Sequence, residues 1–401
     1  MASIASNRRF VLLGTALAAA AWWCAPGTAA AEDTLKIGVL GVMSGPAASW
    51  GLTNKYCAEA TANMYNAKGG VDIGGEKYKI EIVPIDDKND PKLTVSGAER
   101  LTQQDGIKYI IGPNIDTTAT SVRPVAEKNG ALYFPYAFSK DLYTAPAENA
   151  VLGMIASYQA GPIIYKYLME NRGVKSVSFV ARNESDALNQ RKEGVEAAQR
   201  LGLKVVADSD TYEPGTTDFF PVMSNVVGGS PDLIVLSGVA PADAPLLIRS
   251  ARELGYQGLL STETAQDIKI LSEVAGDTAE GFISVGGAST PEIRSAYMEE
   301  FAKEYAKVAG EWNDEAGTKV YALEIILATL QKAGKEAIDN IDLYKAAIPD
   351  FGMKNPFLKD EAQLTYVGTT DFGQKRQIGV PMVVNEVKDG EFKTLFVGSV
   401  Q

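Results

Sequence analysis

The sequence predicts an α/β protein made of two doubly wound units, and three observations predict it. The chain has 401 residues, 46% of them hydrophobic, which is enough apolar side chain for two cores. Short β-branched runs alternate strictly with helical stretches, and strands separated by helices pair parallel because a parallel neighbour needs a crossover element. After one full cycle the same rhythm starts again, which points to a second unit of domain size.

The first cycle opens with a strand over Leu35–Leu40. A helix from about Trp50 to Ala67 follows, stopped by Gly69-Gly70. Tyr78–Ile85 reads as the next strand. Pro91 then starts a helix to Gln104, at a position where its missing N–H costs nothing. Lys108–Ile111 is a strand, Thr117–Lys128 a helix and Ala131–Phe134 a strand. The second cycle has strands at Ser176–Ala181, Lys204–Asp208, Leu233–Ser237 and Gly258–Leu260. Helices near 187–201, 218–227 and 242–254 separate them. A strand over Gly281–Val285 precedes two long helices, about 291–308 and 315–333, and a shorter one at 343–348. The tail is β-like, with Gln377–Val384 and Phe392–Val397 flanking a hairpin-type turn at Lys388-Asp389-Gly390. The helical block and the β tail are shared between the units. No Pro/Ser-rich linker marks a junction, so short hinge strands are expected.

The N-terminus reads as an address. Arg8 and Arg9 precede an apolar run from Phe10 to Trp23, and Ala29 and Ala31 suit a signal peptidase, so residues 1–31 are expected to be a signal peptide cleaved near Ala31. The paired arginines suit a twin-arginine route as well as the ordinary secretory one. The run is shorter than the ~20 apolar residues that span a bilayer. Cys24 follows bulky tryptophans, which argues against lipidation. Cys57 would be the single cysteine of the exported chain, so no intramolecular disulfide is expected and core packing is its reading.

Composition removes several kinds of chemistry. Lys and Arg total 38 against 50 Asp and Glu, a net charge of −12. Such a chain is repelled by phosphate backbones, so no nucleic-acid partner is expected. There is no histidine, which removes Ser-His-Asp and Cys-His pairs and every His-ligated metal site. Gly70 and Gly75 have P-loop spacing, but Glu76 stands where lysine is required. Ser44 in Gly41-Val42-Met43-Ser44-Gly45 is outside the nucleophile-elbow pattern. Asp86-Asp87-Lys88-Asn89-Asp90 resembles a calcium loop only in charge, since Pro91 and the absent glycine and distal Glu break it. No catalytic residue, cofactor or metal is expected.

The informative residues lie where strands end, since open α/β sheets bind ligands there. Ser44 and Trp50 follow the first strand, in a Gly-Pro turn that should offer free backbone N–H groups. Asp116 and Thr117 follow the third, where helix capping is the plainer reading of either residue. Tyr136, Ala137, Phe138 and Ser139 follow the fourth, and Glu263 follows a strand of the second unit. Such loops meeting at one edge suggest a pocket.

Gly41-Val42-Met43-Ser44-Gly45-Pro46, with Ala48, Trp50 and Gly51, resembles the periplasmic branched-chain amino acid binding proteins of ABC importers. So do Asn66–Val71, Asp86-Asp87 with Asp90-Pro91, Gly106–Gly112, Arg249 to Gly255 and Ala279-Glu280-Gly281. The resemblance covers essentially the whole exported chain and is densest from Leu35 to Gly112. It implies the type I periplasmic binding protein fold, a Venus-flytrap of two lobes joined by three crossing strands with a ligand cleft between them. Residues 32–150 plus about 286–355 would form lobe I, and 151–285 plus about 356–401 lobe II. It also implies a periplasmic, monomeric binding protein that captures a small-molecule ligand and delivers it to an ABC permease in the inner membrane.

Carried over by position, Trp50 matches the aromatic that packs on the ligand, and Glu263 the acid that pairs with its ammonium. Asp116 or Thr117 stands where the family uses serine for the ligand carboxylate, and Phe138 or Ser139 where it uses threonine. Tyr136 replaces a small residue. Asp186 or Ala187, and Val239 or Ala240, take the places of second-lobe aromatics. A branched-chain or other apolar amino acid is the expected ligand. An aromatic acid or a small amide such as urea is the alternative, with Arg182 and Lys140 as candidate carboxylate partners. A ligand-sensing regulator, or a hydrolase using Asp116 and Glu263, are the rival classes.

Overall fold

The computed structural model describes residues 33–398 except 289 and 361; the expected export signal lies outside the described residues. β1 (Asp33–Gly41) buries Leu35, Ile37, Val39 and Leu40. It leads into α1 (Ala48–Ala67), then the hairpin of β2 (Val71–Ile73) and β3 (Glu76–Asp86). α2 (Pro91–Glu99) is capped by the Asp90 carboxylate, which accepts from Lys92 N at 2.7 Å. Then come β4 (Tyr109–Ile111), α3 (Asp116–Asn129) and β5 (Leu132–Phe134). The sheet order is β2-β3-β1-β4-β5, with the last four strands parallel. The short β2 runs antiparallel at the edge.

The second unit contains α4 (Ser157–Arg172), β6 (Ser176–Arg182), α5 (Ser185–Leu201), β7 (Lys204–Tyr212), α6 (Phe220–Gly228), β8 (Leu233–Ser237), α7 (Ala244–Glu253), β9 (Leu259–Ser261), α8 (Ile268–Ala275) and β10 (Ile283–Gly286). The chain then returns to the first sheet, where α9 (Ala296–Ala309) and α10 (Tyr321–Ala333) pack on α1 and α11 (Ile341–Ala347) packs on α10. β11 (Met353–Lys354), β12 (Gln363–Val367), α12 (Thr369–Phe372) and β13 (Gln377–Gly379) follow, and β14 (Met382–Lys388) and β15 (Glu391–Gly398) end the described chain. The larger sheet has seven strands in the order β15-β14-β10-β9-β8-β6-β7.

This is the two-lobed type I periplasmic binding protein architecture. Several details depart from the sequence reading. α4, α8, β2, β11 and β12 were not expected. α4 begins at Ser157 and carries Pro162 inside the helix, a residue that disfavours helix there, and its apolar face is punctuated by Gly, Gln and Tyr. The expected strand 377–384 divides at Pro381 into β13 and β14, since proline cannot donate to a ladder. β13 belongs to a small antiparallel sheet with β11 and β12, where Tyr366 bonds Tyr344 on α11 at 2.7 Å and Thr329 on α10 at 2.9 Å. β14 and β15 complete the larger sheet antiparallel, so the tail is shared between the lobes, with the change near Pro381. The Asp389-Gly390 turn has φ of 55° and 73°, the mirror-image hairpin geometry that matches strand twist. The second long helix expected at 315–333 is broken into a 3-10 turn over Asp314–Thr318 and α10.

The acidic 86–90 run is absorbed by local structure. Asp86 Oδ1 accepts from Met43 N and Lys88 N, and Asp87 Oδ1 from Asn89 N. The Met43 N–H, just after β1, is thus taken by Asp86. Among the described residues no group of acids, His or Cys could hold a metal ion, and no helix is long and apolar enough to cross a membrane. Cys57 is buried on α1, with Sγ 3.7 Å from Ala316 O, and burial pushes its thiol pKa up.

Candidate functional site

In the smaller sheet β1 lies between β3 and β4; in the larger, β6 lies between β7 and β8. At each of these places the winding direction reverses, and the loops at the carboxyl ends diverge to leave a crevice. The two crevices face one another around a cavity of about 500 Å³, its mouth included. Trp50, Tyr136, Phe138 and Met154 form most of its apolar wall. Asn114, Asp186, Gln190, Glu315 and Lys319 supply the polar groups, with Thr264 and Thr318.

Close backbone approach positions the first wall. Gly51 N donates to Val42 O at 3.0 Å, and a Cβ on Gly51 would lie 2.1 Å from that oxygen. Only glycine lets α1 start so close to the loop after β1, and that contact sets Trp50 into a small cluster with Val42, Ile115 and Ala240. Gly112 plays the same part after β4. Its φ is +94° and a Cβ would lie 2.0 Å from Leu40 O, so a side chain is excluded twice over. The Asn114 amide then donates to Trp50 O at 3.3 Å.

The jaws already touch. The Arg182 guanidinium lies 5.0 Å over the Trp50 ring, and Asn89 Nδ2 donates to Glu184 Oε1 at 3.0 Å. Arg182 is buried, donating to Gly238 O at 2.9 Å and to Asp186 Oδ2 at 3.1 Å, with a further bond to Glu184. Burial pushes the Asp186 carboxyl up to about 6, against the pull of Arg182 and with help from Glu184 and Asp116. Across the cavity Lys319 Nζ donates to Trp50 O at 3.1 Å and to Thr53 Oγ1 at 2.6 Å, and sits 3.6 Å from Glu315 Oε2. Glu315 Oε1 accepts from Ser49 Oγ at 2.6 Å. Burial raises the Glu315 pKa and lowers that of Lys319, and each partner opposes the other's shift.

Of the residues expected from sequence, Trp50, Tyr136, Ala137, Phe138 and Asp186 come together on the cavity wall. Asp116 is buried behind it, its Oδ1 accepting from Phe138 N at 2.7 Å and Ser139 N at 3.0 Å, while Asn189 Nδ2 reaches Oδ2 at 3.4 Å. Thr117 is exposed on α3 and Ser44 is exposed in its loop. Ser139 lies beside a separate surface hollow with Lys140 and Glu193, and Val239 is buried in the second lobe's core. Glu263 does not line the cavity. It is 3% exposed, accepts a short hydrogen bond from Tyr165 Oη on α4, and burial lifts its carboxyl to about 7. The side chain turns toward α4, where Gly161 leaves room for it. The sequence reading missed Asn114, Met154, Gln190, Glu315 and Lys319. One signal was available: Glu315 and Lys319 form an i,i+4 pair just before the apolar run Val320–Leu323, where a solvated pair is out of place.

Fold and cleft together define a two-lobed protein with a walled cavity between its jaws. A family model described as periplasmic binding protein matches residues 34–391. The Leu/Ile/Val-binding protein of Escherichia coli strain K12 is 30% identical over 261 residues, 64% of this chain and 68% of that protein. The branched-chain amino acid transporter substrate binding protein of Streptococcus pneumoniae, solved with isoleucine, superposes with a TM-score of 0.74 at 21% identity, covering 92% of this chain and 99% of that one. A solute binding protein of an ABC transporter from Rhodopseudomonas palustris, solved with 3,4-dihydroxybenzoic acid, gives 0.72 at 22%, covering 92% and 98%. The chain belongs to the periplasmic binding protein family.

Proposed function

We propose that this protein is the exported substrate-binding component of an ABC importer, which captures a small organic solute with an apolar body and presents it to a membrane permease. The single observation that carries this reading is the walled cavity between two lobes that meet through Trp50–Arg182 and Asn89–Glu184. A solute held there would be sandwiched by Trp50, Tyr136, Phe138 and Met154. Shutting out water strengthens polar contacts to it, because the effective dielectric falls. The ligand drives closure only through contacts it makes in the closed form, and moving the balance from 1:99 to 99:1 takes about 5.5 kcal/mol of differential binding. Relatives named for leucine, isoleucine and valine support an apolar body of that size. Lobes of 32–150 plus about 286–355, and 151–285 plus about 356–401, are the expected bounds. With β14 and β15 in the larger sheet, this reading moves the change of lobe to about 381, and the periplasmic location and the cleaved signal belong to it too. A thermal-shift screen of amines, amino acids, aromatic acids and amides finds the solute. Small-angle scattering with it should then show a smaller radius of gyration. An unchanged radius at saturation would refute capture by closure.

A further inference from the structure

Resting on that reading, we propose that the cleft selects a protonated primary amine on an apolar body, with no carboxylate. The cavity wall is short of donors and rich in unsatisfied acceptors. Asp186 Oδ1, Gln190 Oε1 and Asn114 Oδ1 are buried without a hydrogen-bond partner among the described residues, and Glu315 Oε2 has only the Lys319 ammonium at 3.6 Å. Their side chains belong to residues 5%, 4%, 8% and 0% exposed, so bulk solvent has little access to them. Two of the four are carboxylate oxygens. Buried acceptors left unmet are costly, and a ligand that brings several N–H donors and a positive charge relieves this most directly. The ammonium group brings three.

Apart from the Tyr136 hydroxyl, which is buried without a partner among the described residues, the following donors are already committed. Lys319, the only cation among the described lining residues, is bound to Trp50 O, Thr53 Oγ1 and Glu315. Arg182 is held by Gly238 O, Glu184 and Asp186. Thr318 Oγ1 donates to Glu315 O at 2.9 Å, and Thr264 Oγ1 is within reach of Thr262 Oγ1 at 3.0 Å and Val239 O at 3.5 Å. The backbone N–H groups of Phe138 and Ser139, at the edge of the cavity, both end on Asp116 Oδ1. The protein's own carboxylate occupies the donor pair that a ligand carboxylate would use. An α-amino acid would therefore bring a third carboxylate into a cleft that already holds Asp186 and Glu315. The aromatic and Met wall accepts the amine's hydrocarbon or ring.

The test uses two trios in which the body is constant and the head changes: 3-methylbutylamine, leucine and 4-methylpentanoate; and phenethylamine, phenylalanine and 3-phenylpropanoate. Titration calorimetry of the exported chain at neutral pH should show an amine binding at least tenfold more tightly than its amino acid, with the acid silent. Asp186→Asn, confirmed folded by its circular dichroism and melting curve, should weaken the amine at least tenfold. Glu315→Gln is the second variant should Asp186→Asn not fold. The proposal is overturned by an amino acid or acid that binds as tightly as its amine, by amine affinity unchanged in both variants, or by silence from all six probes. Closure of the lobes on leucine or an acid would leave the binding-protein reading standing and remove this one. An amine that binds without changing the scattering radius would keep the head-group assignment and remove capture by closure.

Discussion

Replacing Lys319 by methionine tests the electrostatics of the cleft wall most directly. The substitution keeps the length of the side chain and removes the charge, leaving Glu315, 0% exposed, without its cation at 3.6 Å. At an effective dielectric of about 20 that attraction is worth roughly 5 kcal/mol gross, and removing one partner of a buried pair costs about 3–5 kcal/mol. We expect about 4 kcal/mol at pH 7. The penalty must depend on pH in one direction. Glu315 is pushed above its ordinary range by burial even with Lys319 present; without the lysine it rises further. A carboxyl whose folded pKa exceeds its unfolded value binds more protons when folded, so the native state loses stability as pH rises between the two values, at about 1.4 kcal/mol per unit. An unfolded value near 4.3 then leaves only about 1 kcal/mol at pH 5. Urea unfolding of the parent and Lys319→Met at pH 5 and pH 7 reads both numbers. The double variant Glu315→Gln/Lys319→Met should recover most of the loss. A penalty below 1 kcal/mol at pH 7, or one equal at both pH values, would refute the reasoning.

Three further outcomes are expected. Gly51→Ala drives a Cβ to 2.1 Å from Val42 O, a backbone contact that no rotamer relieves; a loss of about 2–3 kcal/mol in urea unfolding is expected, with weaker ligand binding because Trp50 moves. Outside residues 22 and 23 of the N-terminal segment, the tryptophans are Trp50 and Trp312, and Trp312 donates to Asp314 Oδ1 at 2.7 Å. Ligand should therefore change the fluorescence through Trp50; a response of equal size in Trp50→Phe would remove Trp50 from the contact surface. Asp116→Ser frees the N–H groups of Phe138 and Ser139. Calorimetry should then show leucine binding at least tenfold better than to the parent, and no gain would mean those donors do not face the solute.

Much of the cleft was legible because strand ends can be read without tertiary information. β1, β4 and β5 are apolar runs closed by Gly41, Gly112 and Pro135, so Trp50 and Tyr136–Phe138 could be placed at one edge from pattern alone. Reach and direction were not legible. Glu263 follows β9 as expected, yet Gly161 on α4 opens room behind it and Tyr165 holds it there. Asp116 sits at the start of α3 as expected, but its carboxylate turns back onto the loop after β5. Glu315 and Lys319 were hidden by a helix expected over 315–333, which in fact begins at Tyr321 after a turn that swings both residues onto the wall.

The order of strands and helices, the repeat of one α/β unit and the absence of imidazole chemistry follow from residue types and spacing, which act locally along the chain. Which carboxylate keeps an oxygen without a hydrogen bond on the cavity wall and which is satisfied by the protein itself was decided only when each lobe packed. Hydrogen bonds between Lys319 and Trp50, or Asp116 and Phe138, join residues far apart in the chain that local propensity does not rank. Their strength depends on burial, which exists only in the folded molecule.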